Sequence, residues 1–253
     1  MMTPSRTHLV IIPSYNTGKR VLETLQAARQ VWNPVWVVVD GSTDGTADLL
    51  EAKAGDDPGL EVLRLARNSG KGAAVLLGLR EAHRRGFSHA LTMDADGQHP
   101  PHRIPEFMRV SHANPDAIVL GVPVFDASVP SERLHGRKIS NFLANLETFW
   151  LGIVDSLFGF RLYPIKTLLS IMRINPFMRH FDFDPEAAVR MVWRGCRPIN
   201  IEAECRYFGS HEGGISHFHY VRTNVVLTWM HLRLLLGLLW RWPWLLWLRS
   251  SRR

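Results

Sequence analysis

The chain has 253 residues, enough for one large domain or two small ones. Its hydrophobic content of 46% and charged content of 21% exclude a disordered, collagen-like or polytopic membrane protein. Its two cysteines exclude a disulfide framework and fit buried residues in a reducing compartment.

The order of hydrophobic patterns predicts an α/β fold. Short apolar runs at 8–12, 34–39, 60–65, 89–93 and 117–121 read as buried parallel strands. Helical patterns at 20–31, 46–54, 72–85 and 104–112 fill the gaps between them. Such alternation implies a doubly wound, Rossmann-like, mostly parallel sheet flanked by helices. Ligands then belong beyond the carboxyl ends of the strands, where SYN, DGSTDGT, NSGKG and DADGQH stand. The start of the chain shows no signal-peptide pattern, since its apolar run is short and stops at Pro13.

Beyond Pro130 the pattern changes. A long amphipathic helix is expected over 131–151, a Gly/Phe-containing loop or strand over 155–163, a helix over 185–194 ending at Gly195, and a strand over 198–207. No internal repeat is visible. The expected division is a body over 1–223, with halves at about 8–121 and 122–223, and a tail over 224–253.

Charge is concentrated in that tail. Of 30 basic and 23 acidic residues, the last thirty positions hold five arginines and no acid, so the tail carries +5 and the body about +2. Five of the nine tryptophans lie there too. A basic segment rich in Trp and Leu points to a membrane surface rather than to nucleic acid. Arg233, Arg241 and Pro243 interrupt it, which favours an interfacial hairpin or two short amphipathic helices over a span. Its arginines are expected to snorkel to headgroups, and its removal to release a soluble, nucleotide-binding body.

Several clusters carry chemistry. Asp94 and Asp96 at a strand end can both reach one divalent ion, Mg2+ or Mn2+, with Gln98 adding a neutral oxygen; an isolated D-x-D would be a simple Asx turn. Asp40 ends the second strand, where an acid can accept from a nucleotide. Asp44 and Thr46 fit a turn and helix N-cap. In NSGKG, which contains Asn68, backbone N–H groups and Lys71 can face phosphate. Asp182, Asp184 and Glu186 crowd three acids into five residues; their repulsion should raise at least one pKa, as a general base requires, or they are an acidic helix start. Arg137 and Arg161 can hold a diphosphate or a phosphorylated acceptor, or form ion pairs. His211, His217 and His219 lack the partners of a zinc site; His217, after Ser216, suits a phosphate or the metal site.

As an ordered set these clusters resemble glycosyltransferase family 2, with the GT-A fold. PSYN (13–16) stands at the first strand end, which places Pro13, Tyr15 and Asn16 with Asp40, Asn68, Lys71 and Asp94 in the nucleotide-sugar site. VDGSTDGT (39–46) is similar to the family's V-D-D-G-S-x-D-G-T, with Val39 in place of the first aspartate; the family's base-contacting acid falls on Asp40. NSGKGAA (68–74) and DADGQHPP (94–101) resemble the polyprenyl-phosphate mannosyltransferase-like branch, where Asp94, Asp96 and Gln98 would approach the metal. GRKISN (136–141), DSLFGFRLYP (155–164) and FDFDPEAAVRMVWRG (181–195) resemble acceptor-side signatures. Phe158 replaces a usual Ser or Cys. The catalytic-base aspartate falls on Asp184, and Phe183 replaces the acid before it. GGISHF (213–218) and RTNVVLTWMHLRLLLG (222–237) are similar to bacterial members that act on lipid-linked molecules.

The resemblance implies an inverting, metal-dependent transferase. It would move a sugar from a UDP- or GDP-linked donor to a lipid-linked acceptor, peripheral or monotopic on the cytoplasmic face of the inner (plasma) membrane. The competing readings are a non-catalytic membrane-bound scaffold on a decayed transferase fold, motivated by Val39, Phe158 and Phe183, and a nucleotidyltransferase, which lacks its Gly-rich loop after strand one.

Overall fold

The structure is a computed structural model that describes residues 3–125, 131–206 and 220–251. Strands β1 (His8–Ser14), β2 (Val35–Asp40), β3 (Leu60–Leu65) and β4 (His89–Thr92) alternate with helices α1 (Lys19–Val31), α2 (Thr46–Asp56) and α3 (Lys71–Arg84). After α4 (Ile104–Ala113) come β5 (Ile118–Phe125), α5 (Ser131–Glu147), β6 (Arg161–Pro164), α6 (Ile165–Ile174), α7 (Phe183–Trp193) and β7 (Pro198–Cys205). The tail forms α8 (Tyr220–Leu238) and α9 (Trp242–Ser251).

The seven strands form one sheet in the order β3-β2-β1-β4-β6-β5-β7. It is parallel except at β6, which runs against both β4 and β5. Every residue of β1 and β2 is buried, as expected of strands covered on both faces. Their two-residue period sends Leu9, Ile11, Trp36 and Val38 into the core beneath α3, and Val10, Ile12, Val35 and Val37 into the core beneath α1 and α4.

Local details depart from the sequence expectations. The helix after Pro130 stops at Glu147, because Phe149 (φ 51°) and Trp150 (φ 54°) turn the chain into the left-handed region. Helix α6 had no counterpart in the expected elements. The cap of α2 shifts by one: Gly45 is the N-cap, Thr46 is the first helical residue, and the Asp44 carboxylate accepts from the Thr46 N–H.

The tail is built into the body. Met230, Leu234, Leu245 and Leu248 lie in the α3-side core with Trp193, and the Trp244 indole donates to the Trp193 carbonyl at 3.0 Å. Arg233 does not reach outward to headgroups as expected. It lies inward, 3.0 Å from Glu186 and 3.9 Å from Asp182. Arg241 donates to the Gly237 carbonyl and covers the Trp193 ring at 4.6 Å. His231 bridges Glu147 (2.8 Å) and Ser140 (3.1 Å) of α5. Deleting 224–253 therefore opens the core, takes Arg233 from buried Glu186, which keeps Arg190, and takes His231 from buried Glu147. The expected outcome is an aggregating or unfolded body, not a soluble one. Arg233→Met alone should cost roughly 3–5 kcal/mol in urea unfolding, the usual loss when one partner of a buried pair is removed.

A histidine cluster lies at the opposite edge from the strand-end loops. The His8 ring stacks on His89 at 4.4 Å, lies 3.8 Å from His112, and bonds Ser111 through Nε2. Burial, then His89 and His112, push its pKa from 6.5 down to about 3. The unfolded chain thus binds a proton that the folded chain refuses as pH falls from 6.5 toward 3. Urea midpoints should drop across that window, and His8→Asn should make the decline shallower.

Candidate active site

Four strand-end loops and the start of α7 meet at one edge of the sheet. The first two are pinned together: the Asn16 N–H donates to the Ser42 hydroxyl oxygen (3.0 Å), and the Asn16 side-chain oxygen accepts from the Thr43 N–H (2.8 Å). Gly18 N–H donates to Asp44. Asp40 ends β2 buried, and its two oxygens accept from the Ser69 and Gly70 N–H groups, each at 2.7 Å. It thereby clamps the NSGKG loop. Each carboxylate oxygen keeps a second lone pair, so this clamp is compatible with a contact to a nucleobase. Gly70 (φ 96°) is required here, since a side chain would strike the Arg179 carbonyl and the His180 ring. Beside these loops lies a cleft of about 390 Å³ lined by Val39, Gly41, Ser42, Thr43, Arg64, Leu65 and Ala66.

The reactive-looking centre is a charged cluster. Lys71 opens α3 and extends its ammonium between Asp94 (2.5 Å) and Asp184 (2.7 Å). Burial works against that ammonium, but Asp184 and Asp94 outweigh it and hold its pKa above the ordinary lysine range. Burial likewise opposes ionised Asp94, and Lys71 reverses it, leaving Asp94 below the usual carboxylate range. Asp184 sits in the first turn of α7, the second residue of a helix that starts at Phe183 rather than Pro185. A carboxylate there is favoured by the helix dipole. Its Oδ1 is buried with no hydrogen-bond partner among the described residues.

Asp96 lacks the relief Asp94 enjoys. Burial and then Asp94 push its carboxyl up to about 6, and its Oδ1 accepts from the Gln98 N–H in an Asx turn. The Asp96 carboxyl resists ionisation because it is buried and lies near ionised Asp94, so added positive charge at that pair is favourable. The residues present therefore fit a divalent cation. Among the described residues no three His, Cys, Asp or Glu side chains converge to hold a metal. A carboxylate pair completed by waters and phosphate oxygens, as Mg2+ prefers, does not need such a cage.

His99 was not singled out from sequence, although it closes the DADGQH motif. It accepts the Asp94 N–H at Nδ1 (2.9 Å), which leaves the Nε2 proton facing Asp94 Oδ2 at 3.6 Å. Burial pushes its pKa down to about 4, so it stays neutral and shapes the loop. Edge contacts with Phe158 (4.6 Å) and Phe160 (5.5 Å) hold its ring.

Of the two arginines expected to hold a phosphate or form an ion pair, Arg137 takes the ion pair and Arg161 takes neither role. Arg161 is fully buried and donates to the carbonyls of Phe158 (2.6 Å), Asp155 (3.3 Å) and Asp184. It braces the α7 start and is closed to a phosphate from solvent. Arg137 pairs with both oxygens of Asp155 at 2.6–2.7 Å, beside the Phe125 ring. Asp182 and Glu186 do have raised pKa values, but burial is the main cause, and both face Arg233 rather than Asp184. Pro13 is buried in β1, Tyr15 and Asn68 lie on the loops around the cleft, and Ser216 and His217 lie outside the described residues.

A family model described as glycosyl transferase family 2 matches residues 9–170. The chain belongs to glycosyltransferase family 2. This glycosyltransferase is 28% identical over 251 residues to an undecaprenyl-phosphate mannosyltransferase of Micrococcus luteus, covering 91% of this chain and 99% of that one. It is 32% identical over 174 residues to a polyprenol monophosphomannose synthase of Mycolicibacterium smegmatis, covering 66% and 65%. A glucosyl-3-phosphoglycerate synthase of Mycobacterium tuberculosis, crystallised with Mn2+, UDP-glucose and phosphoglyceric acid, superposes with a TM-score of 0.68 at 16% identity over 92% of this chain and 79% of that one. That likeness is one of fold, GT-A. The departures from the family motif in this glycosyltransferase are core residues: Val39, Phe158 and Phe183 are all buried, and Phe183 packs on Tyr163.

Asp96→Asn removes a charge that the fold resists. With a chelator present at neutral pH, the variant should melt at or above the wild-type temperature, while its sugar transfer, assayed with Mn2+, should collapse. Near-normal turnover would exclude Asp96 from the reaction centre.

Proposed function

We propose that the enzyme transfers a sugar from a nucleotide-sugar to a polyprenyl phosphate at the cytoplasmic membrane face, with inversion at the anomeric carbon. The observation that carries this reading is the placement of the Lys71–Asp94–Asp184 cluster at the strand ends that also line the cleft. The relatives named as mannosyltransferases of polyprenyl phosphates support the acceptor class.

In this reading the nucleoside occupies the cleft over Val39 and Gly41, with Pro13, Tyr15, Asn16 and Asp40 at its rim. The diphosphate meets Asn68, the N–H groups opening α3, and Lys71. Asp94, Asp96 and Gln98 would hold Mg2+ or Mn2+, which neutralises the charge developing on the leaving diphosphate. Arg137, with Ser216 and His217, would receive the acceptor phosphate. That phosphate is already anionic, so its oxygen attacks C1 opposite the departing diphosphate without a base. Asp184 then serves to hold Lys71 in place. With a hydroxyl acceptor Asp184 would instead take the proton.

The domain division over 1–223 and 224–253 is proposed as a functional one, since the tail shares the core. Among the described residues no single helix is long and apolar enough to cross a membrane; 223–238 and 242–251 together have the length and composition but meet at 80°. The inner faces of α8 and α9 are committed to the core. The outer faces expose Trp229, Leu232, Leu236 and Trp247, and the turn between the helices exposes Trp240 (85% exposed). Helices apolar on both faces, rich in Trp and tied to a soluble core, fit the bilayer interface.

The test is transfer of label from UDP- and GDP-sugars to undecaprenyl phosphate in detergent with Mn2+. Lipid-linked product from one donor class is expected. Asp184→Asn should slow transfer by less than about tenfold, whereas a general base would cost about 10²–10⁴-fold. Nucleotide-sugar binding with no lipid-linked product from any donor would overturn the acceptor assignment.

A further inference from the structure

We propose that the bilayer-docking face extends beyond the tail, onto α5 and the Phe149–Trp150 corner that ends it. This inference rests on the membrane reading of α8 and α9. Helix α5 exposes Ile139 and Phe142, one turn apart, and the chain after it exposes Trp150. The Phe142 and Trp150 rings meet edge to face at 6.1 Å. Phe149 and Trp150 are consecutive non-glycine residues at φ 51° and 54°, a conformation that side-chain-bearing residues rarely adopt. The strain does not bury Trp150; it holds a large indole half in solvent. Strained, exposed aromatics of this kind belong to binding surfaces.

The corner is continuous with the tail. Arg249 of α9 donates to the Phe149 carbonyl at 3.4 Å, and His231 of α8 bonds Glu147 on the last turn of α5. The exposed Ile139, Phe142, Trp150 and Trp247 therefore lie on adjoining elements.

Charge selects the occupant. From Leu134 to Pro198 the five acids are Glu147, Asp155, Asp182, Asp184 and Glu186, and all are buried. Helices α8 and α9 contain no acid. Lys138 of α5 and Arg249 of α9 are exposed. A surface of aromatics and cations with its acids withdrawn matches an anionic lipid leaflet. A second copy of the same face would set cation against cation.

The experiment uses the full chain and vesicles of phosphatidylglycerol and phosphatidylcholine in equal parts. Phe142→Ser with Trp150→Asn is compared with Trp240→Ser and Trp247→Ser in the tail. Asparagine accepts the left-handed conformation more readily than tryptophan, so the corner pair should not lower the melting temperature. Each pair should weaken vesicle partitioning by at least about tenfold, because each removes two large apolar side chains from the inserted surface. Wild-type partitioning by the corner pair, with loss in the tail pair, overturns the inference and leaves the tail reading standing. Failure of the wild type to bind vesicles overturns both, while transfer to a detergent-solubilised acceptor would still test the transferase reading. Self-association of the wild type that the corner pair abolishes would assign the face to a second copy and also overturn the inference.

Discussion

The ammonium of Lys71, held between Asp94 and Asp184, is the contact on which the strand-end edge depends. It joins the start of α3, the end of β4 and the first turn of α7, three segments far apart in sequence. Gly159 carries no side chain because one there would strike that ammonium and the Asp94 carboxylate. Thr92 fixes the same loop by donating to the Gly159 carbonyl at 2.9 Å. The surroundings are arranged so that one cation can stand among several buried acids.

Helix α7 connects this centre to the tail helix α8. Successive acids on its first turn point in different directions: Asp184 toward Lys71, Asp182 and Glu186 toward Arg233 of α8. Arg190 takes the other side of Glu186 at 2.7 Å. A buried ion network of this kind contributes little net stability over apolar packing, but it penalises loss of any one member heavily. The tail and the Lys71 cluster are thus both anchored on the start of one helix.

The three motif departures follow one pattern. Val39, Phe158 and Phe183 replace polar residues of the family with apolar ones, and all three are buried among apolar neighbours. Gly121 on β5 leaves space for the Phe158 ring, which in turn supports His99. The substitutions fill the core beneath the loops and leave Asp94, Asp96 and Asp184 in place, so they give no support to a decayed scaffold.

The sequence alone determined the parallel strands of the first half, the loops at their ends and the family. These depend on local periodicity and on motifs a few residues long, and the two-residue alternation of β1 and β2 matches the two cores they separate. Only the tertiary structure decided what depends on long-range partners. The antiparallel insertion of β6, the burial of Arg161 under three carbonyls, the inward turn of Arg233 and the bridging position of Lys71 all involve segments remote in sequence. A cationic side chain in a sequence can face phosphate, lipid or a buried acid. The direction it takes follows from which carboxylates the fold has removed from water, because an unpaired buried charge costs more than any single exposed contact returns.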